Sequence, residues 1–258
     1  MHCSSKTKGV LESEIKSFLG KSLTLVVLGV FLFSGWKIGM ELYENKHNQT
    51  ILDDAKAVYT KDAATTNVNG EVRDELRDLQ KLNKDMVGWL TITDTEIDYP
   101  ILQSKDNDYY LHHNYKNEKA RAGSIFKDYR NTNEFLDKNT IIYGHNMKDG
   151  SMFADLRKYL DKDFLVAHPT FSYESGLTNY EVEIFAVYET TTDFYYIETE
   201  FPKTTDFEDY LQKVKQQSVY KSNVKVSGKD RIITLSTCDT EKDYEKGRMV
   251  IQGKLVTK

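Results

Sequence analysis

The N-terminal part of the chain contains one long apolar run. Residues 19–40 read LGKSLTLVVLGVFLFSGWKIGM, and residues 22–36 carry no charge. Roughly 20 apolar residues are needed to cross a bilayer. The run reaches that length when the Lys21 and Lys37 side chains extend toward the headgroups. We therefore predict an uncleaved signal-anchor over residues 19–40. A cleaved signal peptide, which has a shorter apolar region and a small-residue cleavage site, and a buried core helix are the less favoured alternatives.

After this run the apolar positions follow a helical period. Residues 41–64 are polar with apolar residues at loose helical spacing, which predicts a stalk helix, and residues 65–70 (TTNVNG) predict a turn. Residues 71–83 carry their apolar side chains on one face, which predicts an amphipathic helix. The predicted organisation is a cytoplasmic N-terminus at 1–18, the anchor at 19–40, a stalk or linker at 41–70 and one folded domain at 71–258.

Beyond residue 83 the period of the apolar positions shifts toward two. Short segments rich in Ile, Val, Thr, Tyr and Phe, separated by Asn, Asp and Gly, are typical of β-strands. Two helical segments interrupt them: Ser151–Tyr159, with Ser151 as the predicted N-cap, and Phe207–Gln217. This order predicts a mainly β protein, a barrel or sandwich with added helices. The predicted strands are Val87–Thr93, Ile97–Leu102, Gly123–Phe126, Thr140–Tyr143, Thr170–Tyr173, Tyr180–Thr190, Arg231–Thr237 and Arg248–Val256.

Charge and cysteine content narrow the possible function classes. The lysines before the apolar run keep the N-terminus in the cytoplasm by the positive-inside rule, so everything after residue 40 is predicted to be exported. Of the 35 basic and 40 acidic residues, five Lys and two Glu lie in residues 1–40, which leaves a net charge of −8 on the exported part. The net charge of the whole chain, −5, argues against a nucleic-acid partner. Two cysteines in the whole chain exclude a disulfide-dense scaffold and a four-cysteine zinc site.

Cys238 is the cysteine of the predicted exported part, since Cys3 precedes the anchor. A single thiol is unusual in a compartment that favours disulfides. Cys238 ends the segment RIITLSTC, where an apolar strand meets a charged loop. That position offers rigid placement together with solvent access, which a nucleophile needs. The alternative is a buried cysteine that acts as a small apolar side chain.

A thiol nucleophile needs a general base or a cation nearby. Among the six histidines, His145 follows the strand TIIYG and opens a loop, so it also stands at a strand end. Arg248 comes ten residues after Cys238 and opens the next strand. Antiparallel pairing of these two strands would bring the guanidinium near the thiol, where it could donate hydrogen bonds to an oxyanion. A loop imidazole and a surface charge without catalytic roles are the alternatives.

The segments TLSTC and YGHN, with Arg248 on the strand after Cys238, resemble the signature of the sortase family. The run YGHNMKDGSMFADL and the segments NKDMVGWLTI, DYPILQ and AGSIFKDYRN are similar to class B sortases, and the resemblance covers roughly residues 70–258. It implies an eight-stranded sortase-type β-barrel with N-terminal helices. It also implies that Phe207–Gln217 is a helix inserted before the cysteine strand.

The resemblance assigns roles to individual residues. Cys238 would be the nucleophile, His145 the general acid and base, and Arg248 the cation that orients the substrate or stabilises the oxyanion. Ser236 and Thr237 would line the substrate groove.

The loop after the cysteine departs from part of the class. Some class B members carry an acidic residue two places after the cysteine, whereas this chain has Thr240 there and Asp239 one place earlier. No role is therefore assigned to an acid in this loop. No acidic cluster indicates a calcium site, and we expect neither a metal nor a cofactor.

The function implied by the resemblance is that of a membrane-anchored extracellular cysteine transpeptidase, as in Gram-positive surface protein anchoring. It would cleave the C-terminal sorting motif of surface proteins through a cysteine thioester and transfer the acyl group to an amine of peptidoglycan or its lipid-linked precursor. A pilin-polymerising sortase, a hydrolytic cysteine peptidase and a surface binding module without enzymatic activity are the alternatives. The expected location is the cell membrane, with a single span and the catalytic domain outside.

Overall fold

The chain divides into two units, Met1–His47 and Asn48–Lys258. The structure is a computed structural model that describes residues 5–62, 74–132, 136–238, 243 and 245–258. The predicted turn at residues 65–70, together with Asp239 and Thr240, lies outside the described residues.

The first helix, α1, spans Ser5–Asp62 and includes most of the first unit. Within the described part of the chain, one stretch, Leu19–Tyr59, is long and apolar enough to cross a membrane, because it contains an 18-residue window with a mean hydropathy of 1.8. The large apolar side chains between Leu19 and Met40 are exposed. Exposed apolar surface on this scale is unfavourable in water, so the helix fits a membrane anchor. The helix predicted over residues 41–64 is confirmed as far as Asp62.

The last turns of α1 belong to the second unit and pack into its core. Ile51, Leu52 and Ala55 are buried there, and the Tyr59 ring stacks on that of Trp89 with centroids 4.1 Å apart. Helix α2, Asp74–Leu82, follows and also buries apolar side chains on one face. The amphipathic helix predicted over residues 71–83 is thus confirmed from Asp74 to Leu82, and it ends one residue earlier than predicted.

Within the described residues, eight strands close into a barrel. The order around the barrel is β1-β2-β3-β4-β7-β8-β6-β5, and neighbours pair antiparallel except at β2–β3 and β4–β7, which are parallel. All eight predicted strands are confirmed, with ends shifted by a few residues at most. The strands are β1 Met86–Thr91, β2 Asp98–Leu102, β3 Ile125–Lys127, β4 Asn139–Tyr143, β5 Thr170–Ser175, β6 Asn179–Thr191, β7 Ile232–Cys238 and β8 Gly247–Thr257.

The helical segment after β4 does not begin where the sequence predicts. A 3-10 helix covers Ala154–Leu160 with Phe153 as its N-cap, and the short α-helix α3 follows at Lys162–Ala167. Ser151 instead donates both its amide and its hydroxyl to Asp149 Oδ1, at 3.1 and 2.7 Å. Met152 then has a φ of 57°, in the left-handed region. The prediction of Ser151 as N-cap is therefore wrong, because Asp149 takes the hydroxyl into a turn.

Helix α4, Thr204–Gln217, confirms the insertion predicted before the cysteine strand. Its buried side chains recur at helical spacing, and they pack with residues of β6, β7 and β8 in one apolar cluster. Burying an apolar side chain of this size contributes roughly 1.5–3 kcal/mol, so four such residues hold the helix firmly on the barrel. These residues are Phe207, Tyr210, Leu211 and Val214.

Candidate active site

The parallel pairing of β4 with β7 brings two strand ends to the same edge of the barrel. Tyr143 pairs with Ser236, and the Gly144 amide continues the ladder by donating to the Ser236 carbonyl at 3.3 Å. His145 and Cys238 each lie two residues beyond the Tyr143–Ser236 pair. Because both strands run in the same direction, both residues leave the barrel at the same edge.

The antiparallel pairing of β7 with β8 adds Arg248 to this edge. Cys238 and Arg248 are direct partners in the ladder, where Cα atoms lie about 4.5–5.5 Å apart. A cavity of about 320 Å³ is lined by all three residues. The structure therefore brings together the sulfur, imidazole and guanidinium that the sequence singled out. The cavity, called here the active-site cavity, is also lined by Ser236, Thr237, Asn107, Leu111, Phe126, Tyr143, Gly144, Thr192 and residues 194–197.

Cys238 is exposed, whereas the six preceding residues of β7 are buried. The buried part of the strand fixes the backbone, so the thiol is rigidly placed and still open to solvent. The Asn146 side-chain amide donates to the Cys238 carbonyl at 3.1 Å. Asn146 follows His145 directly, so this hydrogen bond ties the histidine loop to the end of the cysteine strand. The sequence did not predict this role, because a loop asparagine has no distinguishing pattern.

The His145 side chain is held through one ring nitrogen. Its Nε2 lies 2.9 Å from the carbonyl oxygen of Leu111, which belongs to a 3-10 helix at Tyr109–Leu111. A carbonyl oxygen only accepts, so Nε2 carries the proton in this contact. The other nitrogen, Nδ1, is then the one that exchanges a proton when the charge of the ring changes. The Leu111 carbonyl is a second element of the site that the sequence did not reveal.

The Arg248 guanidinium is anchored by main-chain carbonyls. Its Nη1 donates to the carbonyl of Gly247 at 2.7 Å and to that of Glu245 at 3.4 Å. Neutral carbonyl acceptors do not cancel the positive charge, so it remains available to an oxyanion in the cavity.

Ser236 and Thr237 both line the active-site cavity but differ in their hydrogen bonding. Ser236 Oγ lies 2.7 Å from the hydroxyl of Tyr196. Burial raises the pKa of Tyr196, and the Ser236 hydroxyl and Arg248 charge offset part of that rise, so the phenol is neutral at pH 7. Thr237 Oγ1 is buried and has no hydrogen-bond partner among the described residues.

The described residues contain no cluster of three or more His, Cys, Asp or Glu side chains that could hold a metal ion.

The sequence matches known proteins over most of its length. Residues 90–256 match the family model described as a sortase domain. The chain is 98% identical over 245 residues to Sortase B of Listeria monocytogenes serovar 1/2a. The aligned region covers 95% of this chain and 100% of that protein. It is 35% identical to Sortase B of Staphylococcus aureus over 94% of this chain and 98% of that protein.

Solved structures show the same architecture. Sortase B of Bacillus anthracis in complex with AAEK1 has a TM-score of 0.77 at 44% identity and covers 84% of this chain and 100% of its own. The Staphylococcus aureus sortase B–substrate complex has a TM-score of 0.76 at 35% identity, covering 83% and 98%. Sortase B complexed with triglycine has a TM-score of 0.76 at 35% identity, covering 83% and 99%.

The chain belongs to the sortase family of cysteine transpeptidases. The high identity to Sortase B proteins and the shared eight-stranded barrel make it a class B member of that family.

Proposed function

We propose that this sortase is a membrane-anchored enzyme that faces outward, cleaves the sorting motif of surface proteins and transfers them to a cell-wall amine. The observation that carries the proposal is the convergence of Cys238, His145 and Arg248 on one cavity. The lysine-flanked apolar helix supports the anchor and its orientation. The solved relatives with a substrate and with triglycine support a peptide donor and a glycine-type amine acceptor.

In the first half of the proposed reaction, the Cys238 thiolate attacks the carbonyl carbon of the scissile peptide bond. The carbonyl oxygen becomes an oxyanion, and Arg248 donates hydrogen bonds to it. His145, as the imidazolium, transfers its Nδ1 proton to the nitrogen of the leaving amine. The bond between carbon and nitrogen breaks, and a thioester remains on Cys238.

In the second half, the acceptor amine enters the same cavity. It attacks the thioester carbonyl and gives a proton to Nδ1 of His145, so the imidazolium is regenerated. The bond between carbon and sulfur breaks, the new amide forms and Cys238 leaves as the thiolate. Each residue thus returns to its starting protonation state after one turnover.

Dependence on the amine separates transfer from hydrolysis. We expect triglycine to increase the turnover of a sorting peptide, selected from a library by cleavage, and to yield a ligated product visible by mass spectrometry. The reason is that an amine attacks a thioester faster than water does when the cavity holds it in position. Cleavage at the same rate with and without triglycine, giving only the free acid, would favour the hydrolytic peptidase instead.

The proposed role of Arg248 is tested by substituting lysine. We expect Arg248→Lys to lower kcat by about a hundredfold, since losing one oxyanion donor costs about 10²–10³ and an ammonium does not replace the planar fork. Arg231→Lys is the matched control, because Arg231 lies over the Tyr180 ring, 5.4 Å from its centroid, and does not line the cavity. The measurement is steady-state kinetics on both variants, and we expect wild-type kcat in the control. Full activity of Arg248→Lys would contradict the oxyanion role.

A further inference from the structure

One wall of the active-site cavity is built from a segment without helix or strand. Residues 195–198 lie between β6 and α4 in irregular backbone, and Tyr195, Tyr196 and Ile197 line the cavity. This segment, residues 195–198, is called here the groove wall. A segment outside the sheet has no ladder to hold its backbone, so its carbonyl groups need other partners.

Side chains from three separate elements supply those partners. The Tyr210 hydroxyl, from α4, donates to the Tyr196 carbonyl at 2.5 Å. The Asn139 side-chain amide, from the start of β4, donates to the Glu198 carbonyl at 2.9 Å. Between them, Arg130 Nη2 donates to the Ile197 carbonyl at 3.0 Å. Three consecutive carbonyls of the groove wall are thus each held by a side chain that is distant in sequence.

Arg130 makes a second contact with the groove wall and is itself rigidly held. Its Nη1 donates to the Tyr195 hydroxyl at 3.1 Å. Its Nε and Nη2 form a bidentate pair with Asp128, at 2.9 and 2.7 Å. A planar fork of this kind fixes the guanidinium in both position and orientation.

Asp128 connects this pair to two further residues that line the cavity. The carboxylate is fully buried and accepts from the Tyr143 hydroxyl at 2.8 Å and from Asn107 Nδ2 at 3.0 Å, and both of these residues line the cavity. Burial by itself would raise the pKa of Asp128, but the hydrogen bonds from Arg130 and Tyr143 outweigh it and hold that pKa below its usual value. The carboxylate therefore stays charged at neutral pH and keeps Arg130 in place.

We propose that Arg130, fixed by Asp128, is a positioning residue that holds the groove wall in its substrate-binding shape before the sorting peptide arrives. The inference rests on the proposed function, since it concerns how that peptide is bound. When the wall is already ordered before binding, peptide binding does not include the entropy cost of ordering the wall. Arg130 therefore contributes to peptide affinity, whereas the chemical step belongs to Cys238, His145 and Arg248.

The test uses two variants of Arg130 in the full chain. The double variant Asp128→Asn, Arg130→Gln removes both charges, so no unpaired carboxylate is left buried. Arg130→Lys keeps the charge beside Asp128 but loses the fork that reaches the wall. Arg157→Gln is the matched control: Arg157 also pairs with a carboxylate, that of Glu189, its side chain is 27% exposed against 26% for Arg130, and neither Arg157 nor Glu189 lines the cavity.

Three measurements separate positioning from other roles. We expect KM for the library-selected sorting peptide to rise about tenfold in both Arg130 variants, with kcat and the rate of methanethiosulfonate labelling of Cys238 within about twofold of wild type. Without peptide, chymotrypsin should cut after Tyr195, a residue that is 55% exposed, about tenfold faster in both Arg130 variants than in wild type. The control variant should match wild type in all three.

Two results would overturn the proposal. In the first, KM and the chymotryptic rate remain at wild-type values, so the groove wall does not need Arg130. In the second, kcat and Cys238 labelling fall together with the affinity, so Arg130 acts on the reacting groups or on the whole fold. If the wild-type protein cleaves no peptide of the library, the proposed function fails, and the chymotryptic rate alone still decides whether Arg130 holds the wall.

Discussion

Replacing Cys238 with alanine is expected to abolish turnover of a sorting peptide, with kcat/KM at least about 10⁴-fold below wild type. The physical reason is that the proposed reaction passes through a covalent thioester on a cysteine. Among the described residues that line the cavity, Cys238 is the only cysteine. Without the sulfur, Arg248 and His145 have no nucleophile whose attack they can assist. The measurement is peptide cleavage by the full chain, combined with mass spectrometry for the acyl-enzyme.

Cys238→Ser is the matched variant for this first prediction. It keeps the shape of the side chain but replaces a thiol by a hydroxyl, which is a weak nucleophile unless a strong base activates it. We expect it to be as inactive as the alanine variant and to show no acyl adduct. Both variants should keep the thermal stability of wild type, because Cys238 is exposed at the end of its strand. Cleavage within a hundredfold of wild type in either variant would contradict the nucleophile role.

Replacing His145 with alanine is expected to lower kcat/KM by about a thousandfold, within the roughly 10²–10⁴ that a positioned acid or base contributes. The leaving amine departs poorly without a proton, and His145 is proposed to supply it. The measurement is kcat/KM across pH. A general acid and base gives a bell-shaped profile, and we expect the bell to disappear in the His145→Ala variant.

The matched control for His145→Ala is His112→Ala. His112 lies in the same region of the chain as Leu111, the residue that holds His145, but its side chain is 63% exposed and it does not line the cavity. We expect wild-type kinetics and an unchanged pH profile in this control. An intact bell-shaped profile in His145→Ala would mean that a group other than His145 transfers the proton.

The strands were predictable because their signal is local. Alternating apolar residues at short intervals identified all eight strands, and helix α4 was readable from the spacing of its buried residues. The start of the helical segment after β4 was not predictable, because Ser151 is equally able to cap a helix or to bond to Asp149. The choice between these two depends on the turn at Met152, and no residue type in this stretch indicates that turn.

The candidate site was predictable in its chemistry and only partly in its assembly. The antiparallel pairing of Cys238 with Arg248 follows from a short connection between neighbouring strands. The partners that hold the site are different: Asn146 bonds to Cys238 across 92 residues of sequence, and Arg130 reaches the Ile197 carbonyl across 67. Asparagine and arginine in loops are common, so their residue types carried no signal until the fold placed them.

Sequence alone determined where the strands lie, which end of the chain is apolar enough for an anchor and which thiol stands between a buried strand and solvent. These properties depend on interactions between residues that are close together in the chain, so the sequence pattern is enough to predict them. Only the tertiary structure decided that β4 and β7 run side by side in parallel, that His145 therefore shares an edge with Cys238, and that the Arg130 guanidinium reaches the Ile197 carbonyl. Such contacts depend on packing of the whole barrel, because distant segments meet only when the complete apolar core has closed around them.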